Sequence, residues 1–482
     1  MVKATQRSAV LLGFFASAML LASMPALAEV QNVKVGGDLT VRGFYRRNLD
    51  LHDERSSATK GLDQDQFFTS TTGVNVGADL TENVSTFFRL VNERDWNTAS
   101  VGTTGTNNND VALSQAYVTL KELFYSPLTL KIGRQPIVWG RGFILGSGLV
   151  PATLQRGDDI HTSFTPNEFT DFTAFDAFRA TLDLSGVGGM GFPLTAEYVY
   201  IKLVENNVGQ NDDVNLQGVN FGTRFDKANS EVEAYLLNKR DKSSAVNIAN
   251  KPGSITTMGV RGSTQPGNGC MIWGELAYQF GKRVTDPSSI LTAGKDTQGW
   301  AANLGLEHTF TGVAMTPKIG AEWRYYSGRD LDGAVPGWSI IAPGYFTTAL
   351  REFQTASSIT GFYPNDQQYF RNGANGAGTG AQTNQNEFGF FGSLKPIEDL
   401  TISPRLSFFV LPVGAYPVGP DGVKTTKRKH YAGTEWDTNV VYNYTDDVQF
   451  GLLYALFASG DVYRRPNDST AQELISSVSV KF

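Results

Sequence analysis

The chain has 482 residues, with 41 Lys and Arg against 47 Asp and Glu, a formal net charge of −6 and a single cysteine. The acidic balance argues against nucleic acid as a partner, and one Cys leaves no intrachain disulfide framework. The 51 glycines, 31 phenylalanines and 18 tyrosines, with a mean hydropathy of −0.22, suit bending strands that keep one face in lipid and one in water.

Lys3 and Arg7 precede a mostly apolar run from Val10 to Leu21, and Ala26-Leu27-Ala28 supplies small residues for cleavage. The pattern predicts an export signal over 1–28 and a mature chain starting at Glu29. Losing Lys3 and Arg7, two cations, moves the balance from −6 to −8. Residue 29 is Glu rather than Cys, which speaks against a lipoprotein signal. No later stretch approaches the ~20 apolar residues that a spanning helix needs.

Beyond the signal, alternating apolar and polar residues between turn residues predict eighteen strands. The first six lie near 33–47, 67–80, 84–95, 112–121, 128–135 and 175–184. The next six lie near 194–203, 216–225, 231–239, 255–262, 271–282 and 300–310. The last six lie near 318–326, 387–395, 400–410, 434–444, 448–459 and 473–482. That final strand sets Leu474, Val478, Val480 and Phe482 on one face and Glu473, Ser477, Ser479 and Lys481 on the other. A terminal aromatic on an apolar face suits a barrel whose last strand meets lipid and bonds to the first.

Short links such as 81–83 and 445–447 alternate with long ones at 136–174, 327–386 and 411–433. Bacterial barrels place tight turns in the periplasm and long loops outside. The expectation is therefore an all-β, transmembrane antiparallel barrel of about 18 strands with both termini periplasmic. One domain would cover 29–482, and strand one begins too near the cleavage site to leave room for a plug domain. Sizeable periplasmic links are expected only at 186–193 and 263–270, the second holding Cys270 at a turn edge.

Alternation also assigns faces. Leu39, Val41 and Tyr45 face lipid and turn Asp38, Thr40, Arg42 and Arg46 inward; Val84, Phe88 and Leu90 leave Arg89 and Glu93 inside. By the same rule Arg179, Arg224, Arg324 and Arg405 face the lumen, together with Asp183, Glu275, Glu307, Glu322, Glu387, Glu435 and Asp437. Two readings stay open. The charges pair across the wall and brace a water-filled barrel, or unpaired guanidiniums form a track for anions.

The third outer connection runs from Gly133-Arg134-Gln135 through Trp139-Gly140-Arg141-Gly142 to Ala174. Its Trp139, Phe143, Ile144, Leu145, Leu149 and Phe164 argue for packing rather than disorder. Folding inward would bring Arg134, Arg141 and Arg156 near the pore axis; packing over the rim or on a neighbouring subunit is the alternative. Here Gly133-Arg134-Gln135, Gly140-Arg141-Gly142 and Phe175-Asp176-Ala177-Phe178-Arg179 resemble the alginate-export family of outer-membrane barrels. The resemblance implies a monomeric eighteen-stranded barrel whose arginine-rich lumen passes a polyuronate outward. It also implies pore-lining roles for Arg134, Arg141 and Arg179.

Other features are read as ordinary surface. The basic run 424–430 is a solvated or lipopolysaccharide-binding loop, with capture of an acidic polymer as the alternative; the Gly-rich 372–380 is a loop tip without phosphate-loop chemistry. Asp158-Asp159-Ile160-His161 lacks a partner cluster for a metal, and His52, His161, His308 and His430 do not gather with Ser and acid as a hydrolase needs. No enzyme activity and no cofactor are expected. The expected function is a passive outer-membrane channel for anionic or hydroxyl-rich solutes, extending to export of an acidic polysaccharide. An uptake porin for small solutes and a sealed adhesive barrel are the alternatives. Expected partners are membrane lipid, lipopolysaccharide and the solute, with periplasmic export partners allowed and a monomer favoured over a trimer.

Overall fold

The computed structural model describes residues 32–48, 51, 64–96, 111–125, 127–147, 169–185, 192–205, 212–242, 252–282, 296–328, 337–351, 383–415, 426–463 and 468–482. The expected signal at 1–28 lies outside them, as do Leu149, Arg156, Phe164, His52, His161 and the Gly-rich stretch at 372–380.

Eighteen strands are present: β1 Asn32–Arg47, β2 Gln64–Thr81, β3 Val84–Asp95, β4 Ala112–Leu120, β5 Leu128–Gln135 and β6 Phe175–Asp183. They continue as β7 Leu194–Val204, β8 Val214–Phe225, β9 Ser230–Asp241, β10 Gly253–Gly267, β11 Cys270–Lys282 and β12 Asp296–Thr309. The last are β13 Lys318–Tyr326, β14 Gln385–Ile397, β15 Leu400–Ala415, β16 Lys429–Asn443, β17 Val448–Ser459 and β18 Ala471–Lys481. Each pairs antiparallel with its sequence neighbours, and β1 pairs with both β2 and β18, so the sheet closes on itself. The expected all-β barrel is the observed one.

The seam explains the terminal residue. Leu39 lies opposite Val480 and Thr40 opposite Ser479, whose hydroxyls are 2.9 Å apart. Phe482 closes the ladder with two backbone bonds to Gly37, of 2.8 and 3.0 Å. In hydrocarbon no water can satisfy an edge strand, so these bonds decide whether the sheet is tolerated there.

Successive side chains take opposite environments, as a pleated sheet requires. Along β9, Leu236 is 45% exposed on the outside while Leu237 is 0% exposed within the barrel. Phe68, Phe178, Phe221, Leu276, Trp300, Phe390 and Leu474 continue the apolar outer face.

One link and several strand ends differ from expectation. The residues 263–267 are not a turn: they extend β10, and a register shift between Thr264 and Gly267 takes up Pro266. Pro lacks an N–H for the ladder and is tolerated at such a bulge. The turn that remains is Asn268-Gly269, with φ of 55° and 78°, the left-handed conformations a two-residue hairpin needs. Cys270 is accordingly the first residue of β11. At the other end of the barrel β2, β10, β12, β15 and β16 extend several residues beyond the alternating segment, because polar residues serve both faces once the strand leaves lipid.

Removing Ala471–Phe482 would leave β1 and β17 as unpaired edges. Full-length protein in SDS should migrate faster unheated than boiled, whereas the chain lacking these residues should show one band regardless of heating; a surviving fast band would contradict closure through the seam.

Candidate functional site

The inner wall is not uniformly polar. On β7, β8 and β9 the inward side chains include Val199, Ile201, Leu203, Leu216 and Leu237, all buried. They are buried because chain from two long connections lies against them inside the barrel. Ile137, Trp139, Phe143, Ile144 and Leu145 follow β5, and Trp338, Ile341 and Ala342 follow β13; together they form one apolar cluster with those wall residues, Ala277, Ala301 and Tyr326. Each fully buried side chain of this kind contributes roughly 1.5–3 kcal/mol. The described part of the third outer connection therefore folds inward.

The two segments also bind each other. A parallel bridge joins Leu145 to Ala342, with Gly146 N–H donating to the Ala342 carbonyl at 2.8 Å and Gly344 N–H to that of Gly142 at 2.8 Å. The approach needs glycine: a Cβ on Gly344 would lie 2.5 Å from the Gly146 carbonyl carbon. Further along, Ala349 and Leu350 reach a second cluster with Phe409, Leu411 and Phe457 of the opposite arc of wall and Tyr463 of the connection after β17.

Wall side chains hold these segments by their backbone. Gln279 exchanges two bonds with Ser339, of 2.7 and 2.8 Å, and Lys239 donates to the Ile340 carbonyl at 3.1 Å. Glu435 accepts the N–H groups of Leu350 and Arg351 at 2.6 and 2.9 Å. Glu93 accepts the Asp171 N–H at 2.6 Å and the Thr170 hydroxyl at 2.9 Å. The indole N–H of Trp139 donates to Glu197.

The arginines divide into groups. Arg324, 1% exposed, bridges Glu387 and Thr347. Arg405 reaches Glu387 at 2.9 Å and Glu322 at 3.2 Å, so two guanidiniums and two carboxylates form one buried network. Arg89 clasps Asp38 with both terminal nitrogens at 2.6 and 2.9 Å and Asp171 at 2.7 Å. Arg46 pairs with Glu473 and lies over Phe44 and Phe67. Arg179 donates to Glu197 at 2.7 Å. Arg42 meets Thr71 at 3.3 Å and covers the Phe169 ring. Arg224, its side chain 70% exposed, is 3.5 Å from Glu231 near the short turns.

Arg141 is different. Its guanidinium lies 4.3 Å from the Trp273 ring centroid and 5.1 Å from that of Tyr345, and donates to the Tyr345 hydroxyl at 3.1 Å. Among the described residues no carboxylate pairs with it. Burial pushes the Tyr345 phenol up to about 12, so this partner stays neutral near pH 7 and leaves the Arg141 charge uncancelled. Arg134, expected near the axis, instead lies opposite Asp176 in the ladder and clasps it at 2.7 and 2.9 Å. Two residues along on the same face stand Ile132 and the outward Phe178, so Arg134 belongs to the outer surface.

The alginate export profile matches residues 31–477. The chain belongs to the alginate export family. Among solved structures, OccK9 (OpdG) of Pseudomonas aeruginosa superposes with a TM-score of 0.51 at 11% identity, over 94% of this chain and 99% of that one. OccAB4 of Acinetobacter baumannii gives 0.50 at 10% identity, over 94% and 99%. Pseudomonas aeruginosa OccK2 (OpdF) in complex with glucuronate gives 0.50 at 11% identity, over 94% and 98%. These likenesses show a shared fold, and with the family they place the protein as a Gram-negative outer-membrane β-barrel. A search of curated protein sequences returns no match.

In this alginate export barrel, several inward residues escape a reading centred on arginine-containing motifs. Arg261 pairs with Glu231 and Glu233 at 2.9 and 2.8 Å, and Lys131 stands over the Tyr117 ring at 4.2 Å. Replacing Arg324 by Leu removes one of two cations from the wholly buried Glu387 and should cost about 3 kcal/mol. Arg224→Leu, at an exposed site, should stay within about 0.5 kcal/mol. The temperature at which the fast-migrating gel band disappears should fall clearly for the first variant and stay near wild type for the second.

Proposed function

We infer that this barrel is a passive outer-membrane channel for anionic, carboxylated solutes, sugar acids and acidic polysaccharide among them. The observation that carries the reading is Arg141, a guanidinium held on the inward segment by the Trp273 ring and by the ring and hydroxyl of Tyr345, with no carboxylate paired to it among the described residues. The pairing of most lumen arginines with acids leaves such uncompensated cations as the charges a solute can meet. Family membership and the glucuronate complex of a barrel of the same fold support the same class of solute.

Transport on this reading makes and breaks no bond. Charge-assisted hydrogen bonds lower the barrier to an arriving carboxylate, and weak sites in series let it leave. Direction follows the gradient, so export of a polymer delivered from the periplasm and uptake of small acids use the same lumen. The proposal keeps the barrel monomeric, which light scattering of the detergent complex tests; a mass of three chains would refute that part.

A unit charge about 6 Å from a permeating ion in water is worth about 0.7 kcal/mol, or about threefold in local anion concentration. In planar bilayers under a salt gradient, wild type should show an anion-selective reversal potential, and Arg141→Gln should lower the anion-to-cation permeability ratio by about that factor. Cation preference in wild type would overturn the solute class, and absence of any conductance would favour the sealed, adhesive barrel.

A further inference from the structure

Below the inward segment, toward the short turns, the inner face of β3 to β7 carries groups that no part of the channel argument has used. Phe87 and Tyr117 are directly opposed in the ladder, with ring centroids 5.4 Å apart and planes at 29°. The Lys131 ammonium stands 4.2 Å from the Tyr117 ring centroid, and Lys131 is opposite Arg179 on the next strand. Arg179 in turn shares Glu197 with the Trp139 indole N–H of the inward segment. All of these side chains face the lumen, and Phe87, Tyr117, Lys131 and Arg179 are each partly exposed to it.

Two features suit a ligand better than wall bracing. Lys131 has no carboxylate partner among the described residues; it stands against an aromatic face, a contact that leaves ammonium hydrogens available. Among the described residues Lys131 and Arg179 share the field of one acid, Glu197, which leaves the patch one positive charge in excess. Beside that charge lies an apolar shelf of two rings. Aromatic faces pack against the C–H faces of pyranoses, and a cation at the end of the shelf matches a carboxylate on the sugar ring.

We propose that Phe87, Tyr117, Lys131 and Arg179 form a subsite for one carboxylated sugar ring, on the short-turn side of the inward segment. Lys131 and Arg179 take the carboxylate, and the Phe87–Tyr117 shelf takes the ring. The subsite deepens the channel reading and rests on it only for its physiological use, because binding itself does not need conduction.

The test uses D-glucuronate and glucose as probes, on the full chain, with two readouts: block of single-channel current and calorimetric titration in detergent. Glucuronate should bind and block wild type more strongly than glucose. Lys131→Gln should weaken glucuronate about tenfold, the scale of a lost charged hydrogen bond, with glucose unchanged and Lys131→Arg restoring most of the effect. Tyr117→Leu should weaken both sugars. Each variant must keep the heat-modifiable band, and Lys131→Met serves if Lys131→Gln does not fold. Conductance with a glucuronate response indifferent to Lys131 overturns the subsite and spares the channel. Lys131-dependent binding without conductance overturns the channel and spares the subsite. No glucuronate response in either readout overturns the subsite outright.

Discussion

Every feature of this molecule depends on the backbone ladder between β1 and β18. Seventeen hairpin-type pairings would still leave two open edges, and an open edge in hydrocarbon strands several N–H and C=O groups without partners. The ten-residue register from Asp38–Lys481 to Arg47–Gln472, finished by the two bonds between Phe482 and Gly37, removes that cost. Closure also fixes the environments. Once the sheet is a cylinder each strand residue faces lipid or lumen, and the charged residues have only the lumen or the rims to occupy.

The lumen then poses its own problem, because it holds both ions and apolar wall. An inward carboxylate or guanidinium with no partner is costly, and so is an inward Ile201 or Leu216 left wet. The two inward segments resolve both at once. Their Trp139, Phe143, Leu145 and Trp338 cover the apolar arc, while their backbone N–H groups occupy Glu93 and Glu435. The acids of the wall are thus largely spoken for, by arginines on one side and by loop backbone on another. The count of lumen charges consequently says little about selectivity, and the few cations without an acid say more.

The barrel was legible in the sequence because alternation is a direct image of the pleat. Strand count, closure and the inward or outward side of Arg89, Arg224, Arg324 and Arg405 all follow from a period of two. Strand ends at the long-loop rim were not, since polar residues fit either side of a strand above the bilayer. Arg134 was drawn toward the axis by its motif, yet the same period of two in Leu130, Ile132 and Arg134 puts it outside and puts Lys131 within. The apolar residues on both faces of β7, Tyr198 and Tyr200 outward with Val199 and Ile201 inward, were a readable sign that something must cover the inner wall. Which arginine meets which acid was not readable. Arg405 and Glu322 are 83 positions apart in sequence and Arg89 and Asp171 are 82 apart, so their meeting depends on register and loop path together.

A path lined mainly by neutralised pairs has a physical advantage for a charged solute. A row of bare guanidiniums would hold a polyacid at many points, and release would require all of those contacts to fail together. Here the cations with least compensation are spaced: Arg141 on the inward segment, Lys131 with Arg179 below it, and the exposed Arg224 beside the short turns. Between them stand closed pairs such as Arg261 with Glu231 and Glu233, which present both signs and so bind neither strongly. A carboxylate can be handed from one weak cation to the next while its neighbours on a chain are already free. Entry needs attraction and exit needs that attraction to be shallow, and a mixed-sign wall with a few separated positive sites satisfies both.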